Sequence, residues 1–231
     1  MRKPVTDLRK FRFSKLNDPE FSHLKLLGGW IGYFALYFLT ENLIPAEKCT
    51  PVHIGLDDMI PFCEIFAIPY VLWYLLVAGS LLYFAMYSPK GFRKLSCFIM
   101  ITQAVAMTLY ILFPTRQDLR PDVFPRENLL TGVMAFIYSF DTSTGVCPSL
   151  HVAYSLGISS VFLKEKDVPR WWKITVVLLT ILISASTTLV KQHSAEDVIA
   201  ALPLGLVAEM ILYGKSYWLP KLKKRPVPEN I

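Results

Sequence analysis

Three short segments of this 231-residue chain carry the residue types that phosphoryl chemistry needs. The first is Phe113-Pro114-Thr115-Arg116-Gln117-Asp118-Leu119-Arg120-Pro121, the second Cys147-Pro148-Ser149-Leu150-His151, and the third Lys191-Gln192-His193-Ser194-Ala195-Glu196-Asp197. His193 and Asp197 are four residues apart, which on a helix puts both side chains on one face. A carboxylate that accepts from one imidazole nitrogen fixes the tautomer and leaves the other nitrogen free to attack. Pro148 and Ser149 are typical of a helix N-terminus, so His151 is expected in a first helical turn, where it could protonate a leaving alkoxide. The same turn would offer backbone N–H groups and a positive dipole end to phosphate. Arg120 and Lys191 could neutralise the equatorial oxygens, Ser149 could add a hydroxyl donor, and Arg116 is a further nearby cation. No metal and no cofactor is required by such a set.

The elements that must position these groups are membrane spans. Of the residues, 53% are hydrophobic, 13% aromatic and only 18% charged, and the apolar ones come in long blocks. About 20 apolar residues carry a helix across the hydrocarbon core. The blocks predict spans at Leu26–Ile44, Phe62–Tyr87, Leu95–Phe113, Pro148–Leu163, Trp172–Val190 and Ala195–Tyr213. Leu129–Phe140 is too short to cross and reads as an interfacial or re-entrant segment. The expected fold is therefore all-α: an integral membrane bundle of six transmembrane helices with one short interfacial piece. It forms a single domain over 1–231, with a charged segment 1–25, a core 26–213 and a basic tail 214–231. The stretch through Lys25 lacks the features of a removable signal, so the first span would double as the targeting signal.

Cytoplasmic loops are enriched in Lys and Arg. All of the 24 basic residues except Lys48, Arg116, Arg120, Arg126 and Lys191 fall in the termini, the 88–94 loop, the 164–171 loop or, as Lys173, just inside the fifth span. Both termini are thus expected in the cytoplasm, and the three chemical segments meet on the opposite side. The net charge of +6 suits anionic lipid head groups, and no motif points to nucleic acid. Short loops and compact size suit a bacterial plasma membrane. Trp30, Trp73, Trp171, Trp172 and Trp218 fall mostly near span ends, as an interfacial belt does, and the Lys221–Arg225 run reads as the positive-inside signal.

The chemical segments resemble the type-2 phosphatidic acid phosphatase superfamily. Pro148-Ser149-Leu150-His151 is similar to its Pro-Ser-Gly-His motif, with Leu150 where Gly is usual. Ser186, His193 and Asp197 stand in register with Ser-Arg-(five residues)-His-(three residues)-Asp, and Arg120-Pro121 matches the end of Lys-(six residues)-Arg-Pro. The likeness covers residues 113–197 and the six-span plan. It implies that His193 is a nucleophile forming a phosphohistidine, Asp197 its orienting partner and His151 the general acid. Arg120, Ser149 and Ser186 would hold phosphate. Phe113 and Thr187 replace two of the family's cations, as in the branch that looks like inositol phosphorylceramide synthase and sphingomyelin synthase. The expected function is a lipid phosphatase acting on a lipid phosphate, diphosphate or phosphodiester, with a phosphotransferase to ceramide or diacylglycerol as the alternative. A non-enzymatic lipid-binding or transport protein on the same scaffold is the rival from another class.

Other residues read more plainly. Asp57 and Asp58 suit a loop and helix-cap role, and with His53 they make only a weak metal signal. Glu64, inside an apolar run, suits either a hydrogen bond within the bundle or a polar head group. Glu41, Asn42 and His23 read as structural. Cys49, Cys63 and Cys147 lie where a disulfide is permitted, and Cys97 reads as a small buried hydrophobe.

Overall fold

The computed structural model describes residues 4–223, the side chains at 39, 41–43 and 140 excepted. Part of the basic Lys221–Arg225 run, Lys224 and Arg225, and the side chains of Glu41 and Asn42 lie outside the described residues. The architecture is all-α: α1 Gly29–Leu43, α2 Gly55–Met59, α3 Ala67–Tyr87, α4 Pro89–Leu112, α5 Leu129–Phe140, α6 Leu150–Lys164, α7 Arg170–Leu189, α8 Ala195–Tyr213 and α9 Leu219–Lys223. A parallel ribbon of two residues a side, Thr50–Pro51 (β1) against Thr115–Arg116 (β2), ties two loops at one end of the bundle, and Arg116 also bridges Thr144.

Among the described residues, three segments are long and apolar enough to cross a membrane: Glu64–Tyr87, Pro89–Leu112 and Arg170–Leu189. At 15 residues each, α1 and α6 rise only about 22 Å, short of a hydrocarbon core of about 30 Å. The 19 residues of α8 include Glu196, Asp197 and Glu209.

Local chemistry explains where the helices begin. Ser88 caps α4, its hydroxyl accepting from the Gly91 N–H at 3.0 Å, and Pro89 takes the first helical position. The helix therefore starts six residues before the apolar block and carries Lys90, Arg93 and Lys94 in its first turns. Asn128 caps α5, accepting from Leu130 N and Thr131 N at 2.9 and 3.1 Å. That helix lies across the start of α3, where Met134 and Ile137 pack with Ala67, Tyr70 and Val190.

The centre of the bundle is α6, which packs against α3, α4, α7 and α8. Tyr154, Ile158 and Val161 are fully enclosed with Phe84, Leu95 and Ile99. Gly157 is what allows the closest approach: a Cβ there would stand 2.4 Å from the Phe98 ring. Around this core, Ile31, Phe34, Leu75, Ile181, Leu206 and Ile211 are exposed. Apolar surface of that extent is a partner-binding or lipid-facing surface.

The N-terminal segment is docked and not a free charged tail. The Val5 and Thr6 N–H groups both donate to Met86 O, and His23 Nε2 meets Ala85 O at 3.0 Å, which closes the lower end of α3. Here too Lys164 pairs with Glu209 at 2.7 Å, and Lys94 Nζ donates to Leu212 O. All four cysteines are free, and Cys97 is only partly buried.

Candidate active site

The opposite end gathers the three chemical segments. The α7–α8 connection is built on Lys191, a non-glycine residue in the left-handed region at φ 54°. That backbone reversal lets the Gln192 and His193 N–H groups both donate to Thr187 O, at 2.9 and 3.0 Å. Ser194 then caps α8. Its N–H donates to Asp197 Oδ2 at 3.0 Å while its hydroxyl accepts from Glu196 N at 3.1 Å. The same Asp197 oxygen meets His193 Nδ1 at 3.0 Å, and Asp197 is fully enclosed. A carboxylate recruited as a helix cap is thus also the partner of the histidine four residues before it.

The second segment docks on this turn. The Ser149 N–H, at the start of α6, donates to Asp197 O at 3.1 Å, and Tyr110 OH donates to Pro148 O at 2.6 Å. The His151 ring therefore comes within 5.7 Å of the His193 ring, centroid to centroid. On its other side it stacks on Tyr70 at 4.6 Å and meets Trp73 at 4.1 Å, both from α3. Four buried polar atoms here have no hydrogen-bonding partner among the described residues: Ser149 Oγ, His151 Nε2, Trp73 Nε1 and Asp197 Oδ1. Buried polar atoms are rarely left so in folded proteins. Burial raises the Cys147 thiol pKa to about 12, helped by the Asp197 and Glu196 charges, so it stays a neutral thiol beside this turn.

The cations fall differently. Arg120 donates to the carbonyls of Tyr138, Asp141 and Thr142 and to Gln192 Oε1, and its guanidinium stacks over the Tyr138 ring at 4.5 Å. It borders the site through Gln192 but in this state holds the turn after α5. Lys191, expected on phosphate, is engaged elsewhere: its buried ammonium donates to the carbonyls of Asp57 (3.0 Å) and Ile60. Those donors are spent because the left-handed backbone aims the side chain back at the α1–α3 loop. Arg116 pairs with Asp118 at 3.1 Å and donates to Ala46 O, so it serves the outer loops. Ser186 is fully buried, and its hydroxyl donates to Ile183 O in its own helix.

Sequence reasoning missed two groups. Asp141 accepts from Tyr37 OH (3.1 Å), Tyr70 OH (3.4 Å) and Gln192 Nε2 (3.1 Å), which links the residue beside His193 to the ring beneath His151. Gln192 lay within the quoted segment, but nothing about Asp141 marks it, since it only ends an apolar run. Asp57 caps its own loop by accepting from Ile54 N, as its spacing suggests, and also accepts from Ser194 Oγ and Ala195 N, which no local pattern marks. Glu64 joins α3 to the start of α5, pairing with Arg126 at 3.1 Å and accepting from Asn128 Nδ2 at 3.3 Å. His53 pairs with Asp58 at 2.8 Å on the surface.

Comparison with protein-family models, with curated proteins and with solved structures gave no match. The fold defines an all-α protein with, among the described residues, three helices fit to cross a membrane.

Proposed function

We propose that the chain is a six-span membrane enzyme, a metal-independent lipid phosphatase that works through a phosphohistidine on His193. The observation that carries the reading is the bond from His193 Nδ1 to Asp197 Oδ2, with the His151 ring 5.7 Å away. Asp197 takes up Nδ1, so the Nε2 lone pair is the one free to attack phosphorus. The P–N bond forms as the bond to the leaving lipid oxygen breaks, and His151 delivers the proton to that alkoxide. Water then attacks the phosphohistidine, His151 takes its proton, the P–N bond breaks and phosphate leaves. Ser149 Oγ and the first N–H groups of α6 would meet the phosphate oxygens. Arg120 would exchange Gln192 for one of them.

The short helices α1, α6 and α8 would complete the six spans, with both termini cytoplasmic and the site on the outer side. The substrate's tail would stay in the bilayer. Support comes also from the resemblance of the three segments to the type-2 phosphatidic acid phosphatases. A second reading, transfer of the phospho-head group to ceramide or diacylglycerol, is favoured by Phe113 and Thr187 standing where that family carries cations.

The test is phosphate release by purified protein from a panel of lipid phosphates and diphosphates, with chelator present. His193→Ala should abolish release, and Asp197→Asn should lower it about 100-fold. A folded His193→Ala protein with full activity would sink the mechanism. Release absent until ceramide or diacylglycerol is added, with head-group transfer then seen, would make the protein a phosphotransferase.

A further inference from the structure

Asp57 lies far from the three chemical segments in sequence, on α2 in the loop between α1 and α3, yet it is only 2% exposed. Its carboxylate accepts three hydrogen bonds. One, from Ile54 N at 2.9 Å, closes the turn of its own short helix. The other two come from the first turn of α8: Ser194 Oγ at 2.6 Å and Ala195 N at 2.7 Å. Those residues directly follow His193. On its other side, Lys191 donates to the carbonyls of Asp57 and Ile60. The backbone flanking His193 is therefore held to one five-residue helix and its exit, from both directions. Two carboxylates share the α8 N-terminus, Asp197 from within the helix and Asp57 from outside it. The unpaired N–H groups and dipole of that turn stabilise both. The neighbouring Asp58 faces away, paired with His53 at the surface.

We infer that Asp57 is a positioning residue for His193, acting through Ser194 and Ala195 on the turn that sets the His193–Asp197 pair. This rests on the reading of His193 as the nucleophile. A misplacement of about 1 Å at a nucleophile slows chemistry about 100-fold, whereas substrate contacts that do not involve this turn are untouched. The signature is thus a loss in kcat with KM preserved.

The test uses the full chain in detergent with a short-chain phosphatidic acid in mixed micelles, and head-group transfer as a second readout. Asp57→Asn should retain a cooperative thermal transition and lose 10- to 100-fold in kcat, with KM within about threefold of wild type. Asp58→Asn, one residue away, should keep the wild-type kcat. Ser194→Ala should also lose kcat, and the double variant should lose less than the product of the two single losses, because both changes break the Ser194–Asp57 bond. A wild-type kcat in folded Asp57→Asn, a loss confined to KM, or additive losses in the double variant would overturn the inference. Should Asp57→Asn fail to fold, an unchanged kcat in Ser194→Ala does so instead. The two claims fail separately: full activity in His193→Ala removes both, whereas an inactive His193→Ala beside a fully active Asp57→Asn removes only the role of Asp57.

Discussion

At the scale of single residues, Asp57 and Asp197 show how one carboxylate serves two ends. Burial pushes the Asp57 pKa up, but hydrogen bonds from Ile54, Ser194 and Ala195 and the nearby His53 outweigh it and hold the carboxyl below the ordinary value. A carboxylate whose folded-state pKa is depressed contributes stability above its unfolded value of about 4 and loses it as pH falls through the folded one. Stability should therefore be flat in this contribution from neutral pH down to about 4 and then fall. Thermal unfolding in detergent across that range checks it, and Asp57→Asn should flatten the acid-side decline. A steeper decline in the variant would contradict the assignment.

At the scale of elements, the α7–α8 turn holds His193 and the α4–α6 contact backs the helix that carries His151. Lys191 holds a backbone conformation that favours glycine, and its ammonium offsets that by satisfying two carbonyls of the α1–α3 loop. Lys191→Met keeps the stem but leaves both carbonyls without that partner, a loss of about 1–3 kcal/mol that a shift in the thermal midpoint would report. Gly157→Ala should destabilise by a similar amount, about 1–3 kcal/mol, because the added methyl meets the buried Phe98 ring. A neutral outcome at Gly157 would mean that α4 and α6 separate freely, and His151 would then lack its support.

At the scale of the whole molecule, the two ends differ in kind. One end carries the docked N-terminal segment and the lysines at 94 and 164, the other the β ribbon, α2, α5 and the two histidines. The six-span proposal predicts how each end meets the membrane. In a background without native cysteines, Asp122→Cys should react with an impermeant maleimide on intact cells, and Lys215→Cys only after permeabilisation. Labelling of both from outside would remove the proposed topology, since the three proposed spans between the two positions would put them on opposite sides.

The sequence by itself determined the apolar blocks and the bounds of α5 and α8, which follow from composition along the chain. His193, by contrast, meets Asp197 from the turn before α8, through the carboxylate that caps that helix, and not from a shared helix face. Boundaries set by a cap, such as Ser88 before α4, were displaced by several residues, because hydrogen bonds and not hydropathy stop and start a helix. Only the tertiary structure decided the partners of the cations. Lys191 and Arg120 both donate to backbone carbonyls at the site's edge, and satisfying such groups outweighs leaving a cation free. The roles of Asp57 and Asp141 were likewise decided by packing. Each meets its main partners across 50 or more residues of chain, and no local spacing encodes a contact of that range.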